Sequence, residues 1–563
     1  FVLLFGVALA RAFWLQAVDG PHLESMANRQ HTSTVTIPAG RGTIFDRNGV
    51  ELALGEQATT VYVDPTQVQD AQKVAMAAQE LLGVDPNTLY RSILAAPKSS
   101  HFLYVARQAD PIKAAQLKKR ALAGVFFYGE EKRSYPQRSV ASHVLGYAGV
   151  DNHGLAGLEV SLDGKLVGHP GSQTVVKAPD GTALDVVAST PEQQGQSVVL
   201  NIDSTIQAQA EGVLRDTLKE WHAKAAAAVV MDPRTGEVLA MANAPGFDAN
   251  RYPKATPARQ RNRAITDTYE PGSTFKLVTV TAAISTGLVT PSTKFVLPYS
   301  IRVADRVVHD AEERGTETFS VRDILSHSSN VGAITLAEKL GKERLSDWIQ
   351  RFGFGQATGI DFPGESPGIV LAKENWSGST IGNVPIGQGI AVTPIQMATA
   401  YATIANGGER ITPRLVQGIG GKATSPQRTR VIPESLAHKI TGMLTTVVNK
   451  GTGTAAAIPG YKVAGKTGTA EKPDPRGGYA KGKYVASFVG FVPASRPRFV
   501  VLVMVDEPQG AIFGGVVAAP AFQRIARFAL QYYEVPPDAP AKVETAPVAA
   551  TPVPDADAIT ATH

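Results

Sequence analysis

The chain is 563 residues long, and single hydrophobic cores stop growing at about 250 to 300 residues, so two or more domains are expected. Hydrophobic residues at 43%, charged residues at 19% and a net charge of +5 without a basic block describe an ordinary globular chain and do not point to nucleic acid. Cysteine is absent, which excludes disulfides, thiol catalysis and zinc–thiolate sites.

Taken in order, residues 1–10 are apolar and uncharged, and Arg11 and the run 12–15 follow. Ten residues fall short of the roughly 20 that a bilayer needs. Residues 1–19 therefore read as the outer part of a single, truncated membrane anchor, with Trp14 near the interface. A signal-peptide core or a buried helix has the same composition.

Residues 20–202 read as a mixed half for binding and positioning, without a catalytic grouping. Residues 32–38 alternate like a strand, and Asn48-Gly49 marks a hairpin turn with 50–53 returning. Arg41, Asp46 and Arg47 beside that turn read, taken alone, as a surface ion-pair set. Residues 68–82 and 111–121 are expected helices, and 173–176 and 197–201 expected strands.

A domain change falls near Asp203, opening a catalytic unit expected at 203–535. Residues 204–224 carry helical periodicity, with Ile206, Ala210, Val213, Leu214 and Leu218 on one stripe. Residues 226–231 and 238–242 form a hairpin, and three more strand-like runs (462–465, 484–492, 498–505) come only near the far end, before an amphipathic helix at 519–532. The economical assembly is one five-stranded antiparallel sheet built from both ends of this unit, its terminal helices on one face and an all-helical middle, 265–455, on the other. Residues 536–563 are Pro/Ala-rich and expected to be disordered.

The chemistry sits in three short stretches. Glu270-Pro271-Gly272-Ser273-Thr274-Phe275-Lys276 precedes a run that is apolar on nearly every side, which is how the start of a buried helix reads. Ser273 and Lys276 are three apart, so they share a helix face and the amine can reach the hydroxyl. A lysine acts as base only if its pKa falls well below about 10.4, which burial and nearby positive potential achieve. Alone, Ser-x-x-Lys is a weak signal and reads as a capping serine with a surface lysine. Two companions follow in order: Ser328-Ser329-Asn330, on a turn between expected helices 320–325 and 331–340, and Lys466-Thr467-Gly468-Thr469 at a strand edge. If the three converge, Ser273 attacks a carbonyl and neutral Lys276 takes its proton. Ser328 relays that proton to the leaving amine, and Asn330 holds Lys276 and a substrate amide. Lys466 supplies charge for a substrate carboxylate and repels a proton from Lys276. The hydroxyls of Thr467 and Thr469 share the carboxylate, Gly468 admits the substrate backbone, and the backbone N–H groups of Ser273 and Thr469 form the oxyanion hole. Such a site performs acyl transfer and calls for no metal.

These motifs, together with Arg41 to Gly49, Arg133-Ser134-Tyr135-Pro136 and Gly154 to Glu159, resemble a class B penicillin-binding protein over nearly the whole length, the tail excepted. The contexts Ser328-Ser329-Asn330-Val331-Gly332 and Lys466-Thr467-Gly468-Thr469-Ala470 are most similar to the division-specific FtsI type. The resemblance implies an α+β fold. A penicillin-binding/beta-lactamase-like transpeptidase domain with a five-stranded antiparallel sheet would stand on an elongated N-terminal α+β pedestal of dimerisation type, 20–202, behind a membrane helix. It implies a peptidoglycan D,D-transpeptidase that forms a serine acyl-enzyme on stem peptides ending in D-Ala-D-Ala, releases D-Ala and is acylated by beta-lactams, without a cofactor. It further implies a single-pass protein of the bacterial plasma membrane, active on the extracytoplasmic side at the septum, with an FtsW-type lipid II polymerase and other divisome membrane proteins as partners. Elongation-type and sporulation-type enzymes are the near alternatives. A beta-lactamase is disfavoured because no Glu-x-x-Leu-Asn element lies between Asn330 and Lys466. A beta-lactam sensor or a non-catalytic divisome scaffold is the alternative of another class; a sensor would call for several membrane spans or an effector domain.

Overall fold

Residues Ala225–Met231 and Phe499–Asp506 are almost wholly apolar, and a strand of that kind is stable only if both faces are covered. In the computed structural model, which describes residues 1–18, 32–177 and 183–539, both are. They lie at the centre of a five-stranded antiparallel sheet whose order is Val238–Ala244, Ala225–Met231, Phe499–Asp506, Tyr479–Val492, Ala464–Pro473. Alternate side chains feed two separate cores. Ala226, Ala228 and Val230 pack with Ile206, Val213, Phe522 and Ile525 of the helices Ser204–Glu220 and Ala519–Tyr532. Ala227, Val229 and Met231 face the other way, into a core shared with Leu277, Val280, Met397 and Tyr401. The sheet assembled from both ends of the unit is therefore as expected, as is the placement of the terminal helices on one face.

The middle differs from expectation. It is mainly but not wholly helical, because four small antiparallel pairings interrupt it, among them Ser300–Val303 with Arg306–His309. In that hairpin Ile301 and Val303 alternate with polar residues before a turn at Ala304, so the local pattern is that of strands. The strand Val416–Ile419 leaves the middle altogether and pairs with Val198–Leu200, continuing the N-terminal sheet.

That N-terminal sheet is held to the catalytic unit by the Asn48-Gly49 turn, and here the reading of a surface ion-pair set is corrected. Asp46 is fully buried and accepts from the backbone N–H groups of Asn48 and Val50, both at 2.8 Å, and from the Ser204 hydroxyl at 2.7 Å. Its carboxylate thus joins the hairpin turn to the first residue of the helix Ser204–Glu220. Arg41 is also buried, because Glu159 neutralises it at 2.7 Å while Arg133 holds the other carboxylate oxygen at 2.7 Å. A charge so far from water persists only when paired and hydrogen-bonded in this way.

Three helices, Ala71–Leu82, Pro86–Ala95 and Pro111–Lys118, pack on the long strands of the N-terminal part. Val2–Phe13 is helical and continues through Trp14–Val18, but no helix among the described residues is long and apolar enough to cross a membrane. The expected disordered tail falls mostly on 540–563, outside the described residues.

Candidate active site

Pro271-Gly272 breaks the preceding segment, and the 3-10 turn Gly272–Phe275 leads into the helix Lys276–Ser285. Ser273 lies on the turn, half-buried, and Lys276 opens the helix with its side chain fully buried. The turn is clamped from several sides. Gly272 N–H donates to Gly387 O at 3.0 Å, and Tyr401 donates its hydroxyl to Thr274 O at 3.0 Å. Gly387 has φ +78° and a Cβ there would stand 2.1 Å from Gly272 O, so only glycine permits this approach.

The Ser-x-Asn stretch is where the pattern placed it. Val321–Ser326 ends, Ser329 caps Asn330–Leu340 by accepting from Gly332 N–H at 3.0 Å, and Ser328 between them takes φ +58°. Asp310, which no motif singles out, fixes the turn. It accepts from Asn330 N–H at 2.5 Å, Val331 N–H at 3.0 Å and the Ser329 hydroxyl, and it pairs with Arg314.

Lys466-Thr467-Gly468-Thr469 lies inside the strand Ala464–Pro473, not beyond its end, and this strand is the edge of the five-stranded sheet. An edge leaves one row of backbone groups free to pair with an added extended peptide. Gly468 has a reason other than the expected one: a Cβ there would lie 2.4 Å from Ser487 Oγ and 2.8 Å from Pro271 O, so glycine lets the edge strand abut the protein's own serine turn. The same abutment brings Thr469 to Gly272, whose missing Cβ would be 2.6 Å from Thr469 O.

The three stretches meet in one hydrogen-bonded group. Lys276 Nζ donates to Ser328 O at 2.5 Å and Asn330 Oδ1 at 2.7 Å, with the Ser328 hydroxyl at 3.3 Å. Lys466 Nζ, also fully buried, donates to the same hydroxyl at 3.0 Å and to Thr467 Oγ1 at 3.2 Å. Thr467 Oγ1 in turn bonds Thr452 at 2.8 Å, and Thr469 Oγ1 accepts from Gly514 N–H at 3.1 Å. The Ser273 hydroxyl is outside this group and has no hydrogen-bond partner among the described residues, one turn before Lys276. Nucleophile-to-base bonds of this kind often tighten only when substrate is bound.

Two amines sharing one hydroxyl away from water cannot comfortably both carry a proton. Burial pushes Lys276 down to about 7, while the charge of Asp310 acts in the opposite direction. Lys466 is pushed well below its ordinary value by burial and then by the charge of Lys276. Desolvation is thus the main force on both; the repulsion between the amines adds to it at Lys466, while at Lys276 the second influence is Asp310. Glu270, directly before the serine turn, is pushed up by burial, and it accepts from Gly389 N–H at 2.9 Å and the Tyr479 hydroxyl at 3.0 Å. Glu270 stands within the stretch that the sequence singled out, yet its partners are 119 and 209 residues away.

The chain matches the Penicillin binding protein transpeptidase domain over residues 226–527 and the Penicillin-binding Protein dimerisation domain over residues 36–200. It is 36% identical to Stage V sporulation protein D of Bacillus subtilis over 95% of this chain and 86% of that protein. It is 34% identical to Peptidoglycan D,D-transpeptidase FtsI of Escherichia coli over 96% of this chain and 91% of that one. Among solved structures it is similar to penicillin binding protein 3 from Mycobacterium tuberculosis complexed with aztreonam. That match has a TM-score of 0.70 and 33% identity, and covers 90% of this chain and 99% of the other.

Proposed function

Because this chain belongs to the class B penicillin-binding proteins and is a peptidoglycan D,D-transpeptidase, we propose how its residues divide the reaction and where the enzyme works. The observation that carries the division of roles is the Ser328 hydroxyl, 3.3 Å from one lysine amine and 3.0 Å from another.

Neutral Lys276 takes the proton as Ser273 Oγ bonds to the penultimate D-Ala carbonyl carbon of a stem peptide. The carbonyl oxygen becomes an anion held by the backbone N–H groups of Ser273 and Thr469, each such donor contributing about 3 kcal/mol. The C–N bond to the last D-Ala then breaks. Its amine receives the proton from Lys276 by way of Ser328, and the acyl group stays on Ser273 as an ester. Lys466, with the hydroxyls of Thr467 and Thr469, holds the donor's terminal carboxylate. That negative charge favours a charged Lys466, which in turn favours a neutral Lys276. Asn330, tied to Lys276 and to His309 O at 2.9 Å, keeps the base in place. In the second half an amine of a neighbouring stem attacks the ester, gives its proton back through Lys276, and restores Ser273. Beta-lactams enter the first half and stop at the ester.

The proposal extends to place and partners: a single-pass plasma-membrane enzyme acting on the extracytoplasmic side of the division septum, paired with an FtsW-type lipid II polymerase. The similarity to a sporulation protein as well as to FtsI makes a sporulation septum the second reading. Mass spectrometry of the penicillin-labelled peptide tests the chemistry, with the label expected on Ser273 and none on a Ser273→Ala chain. A label on another residue would overturn the assignment. Imaging of a fluorescent fusion tests the place: mid-cell signal during vegetative division supports the first reading, and signal confined to sporulating cells the second. Rescue of a division defect by Ser273→Ala would instead favour a scaffold.

A further inference from the structure

A guanidinium that leaves water needs new acceptors, since an unpaired charge in a low dielectric is among the costliest groups a fold can hold. Arg41, Arg133, Arg314 and Arg414 each pair with a carboxylate, Arg414 with Glu237 at 2.9 Å, although Nη1 and Nη2 of Arg133 and Nε of Arg414 find no acceptor among the described residues. Arg410 does not. It lies in the short strand Glu409–Ile411, part-buried, and its guanidinium has no hydrogen-bond or ion-pair partner among the described residues. Burial pushes its pKa down, and no neighbouring charge opposes that.

Arg410 lines a cavity of about 480 Å³ formed by parts of the segments 352–361 and 410–429, with Gln396 and Thr399 of the helix Pro394–Ala405; Arg414, already paired with Glu237, lines it too. That volume is in the range of small-ligand sites. The wall adds hydroxyl and amide groups from Thr412, Ser425, Gln427 and Thr429. Its one carboxylate, Asp361, is already engaged by the N–H groups of Leu415 and Val416 at 2.7 and 2.8 Å. Gly353 is shaped to the guanidinium: at φ +89° it has no side chain, and a Cβ there would stand 2.0 Å from Arg410 Nη1. A planar donor fork beside hydroxyls in a polar recess is the chemistry that recognises carboxylate and phosphate groups.

We propose that this cavity is a binding site for an oxyanion, the carboxylate or phosphate group of a small polar molecule, with Arg410 as its cationic anchor. None of the residues lining it belongs to the three catalytic stretches, so the site is separate from the serine cleft.

The test uses the full chain, before and after its serine cleft is blocked by penicillin, titrated in a calorimeter with inorganic phosphate and separately with N-acetylglycine. Saturable one-to-one binding that survives the block is expected, weakened by about tenfold or more in Arg410→Gln and less in Arg410→Lys. Arg428→Gln, whose guanidinium is already paired with Glu409, should bind within about twofold of wild type. In anion-free buffer Arg410→Gln should melt no lower than wild type, because it removes an unpaired charge. Tighter phosphate binding identifies a phosphate ligand, and tighter N-acetylglycine binding a carboxylate. Absence of saturable binding of both probes, or equal binding by Arg410→Gln, overturns the proposal.

Discussion

Replacing Ser328 by alanine removes one oxygen from the point where both buried lysines meet. Lys276 keeps Ser328 O and Asn330 Oδ1 as acceptors, so the base stays in position. Lys466 loses its 3.0 Å acceptor and keeps only Thr467 O and Thr467 Oγ1, both at 3.2 Å. One hydrogen bond to a charged group contributes about 1.5 to 3 kcal/mol, and every 1.4 kcal/mol is tenfold, so acylation should slow by roughly 10- to 150-fold. Ser328 also holds φ +58°, a conformation that glycine adopts without strain. Ser328→Gly removes the same hydroxyl while relaxing the backbone and separates the two effects. The second-order rate of labelling by a fluorescent penicillin, followed in rapid-quench gels, measures both variants. Rates within threefold of wild type for Ser328→Ala would refute the relay, and so would a Ser328→Gly rate near that of wild type.

The acylation rate of the wild type should climb as pH rises through about 7, because the base works only when neutral and burial holds Lys276 at about that value; a flat profile from pH 5 to 9 would count against Lys276 as base. Lys276→Met should abolish labelling yet melt no lower at neutral pH. A lysine whose folded pKa is depressed makes the native state bind fewer protons than the unfolded chain between about 7 and 10.5, so stability rises with pH across that window, and the variant should flatten the rise in melting temperature. Glu159→Gln should leave Arg133 without a charged partner and Arg41 with Asp163 alone, and cost about 3 to 5 kcal/mol. Urea unfolding should show that loss, with penicillin labelling of the folded fraction unchanged.

Periodicity found what depends on neighbours along the chain. The helix Ala519–Tyr532 and the hairpin of Ala225–Met231 with Val238–Ala244 are written as apolar stripes and runs that need burial, and the Ser-x-Asn turn as a capping serine between two helices. The spacing of Ser273 and Lys276 placed the hydroxyl and the amine one turn apart, because a helical turn is a local property. The sequence by itself therefore determined the sheet's membership, the terminal helices on one of its faces and the three short stretches that the fold brings together. What only the tertiary structure decided is which distant groups surround them. Asp310 is an ordinary loop carboxylate until Arg314, Ser329 and Asn330 converge on it, and Gly468 looks like room for substrate until Pro271 O fills that space. Arg41 and Asp46 read as surface charges because their burying partners, Glu159 and Ser204, lie 118 and 158 residues away. Burial, and hence the low pKa of Lys276, is a property of packing from all sides, and no stretch of sequence carries it.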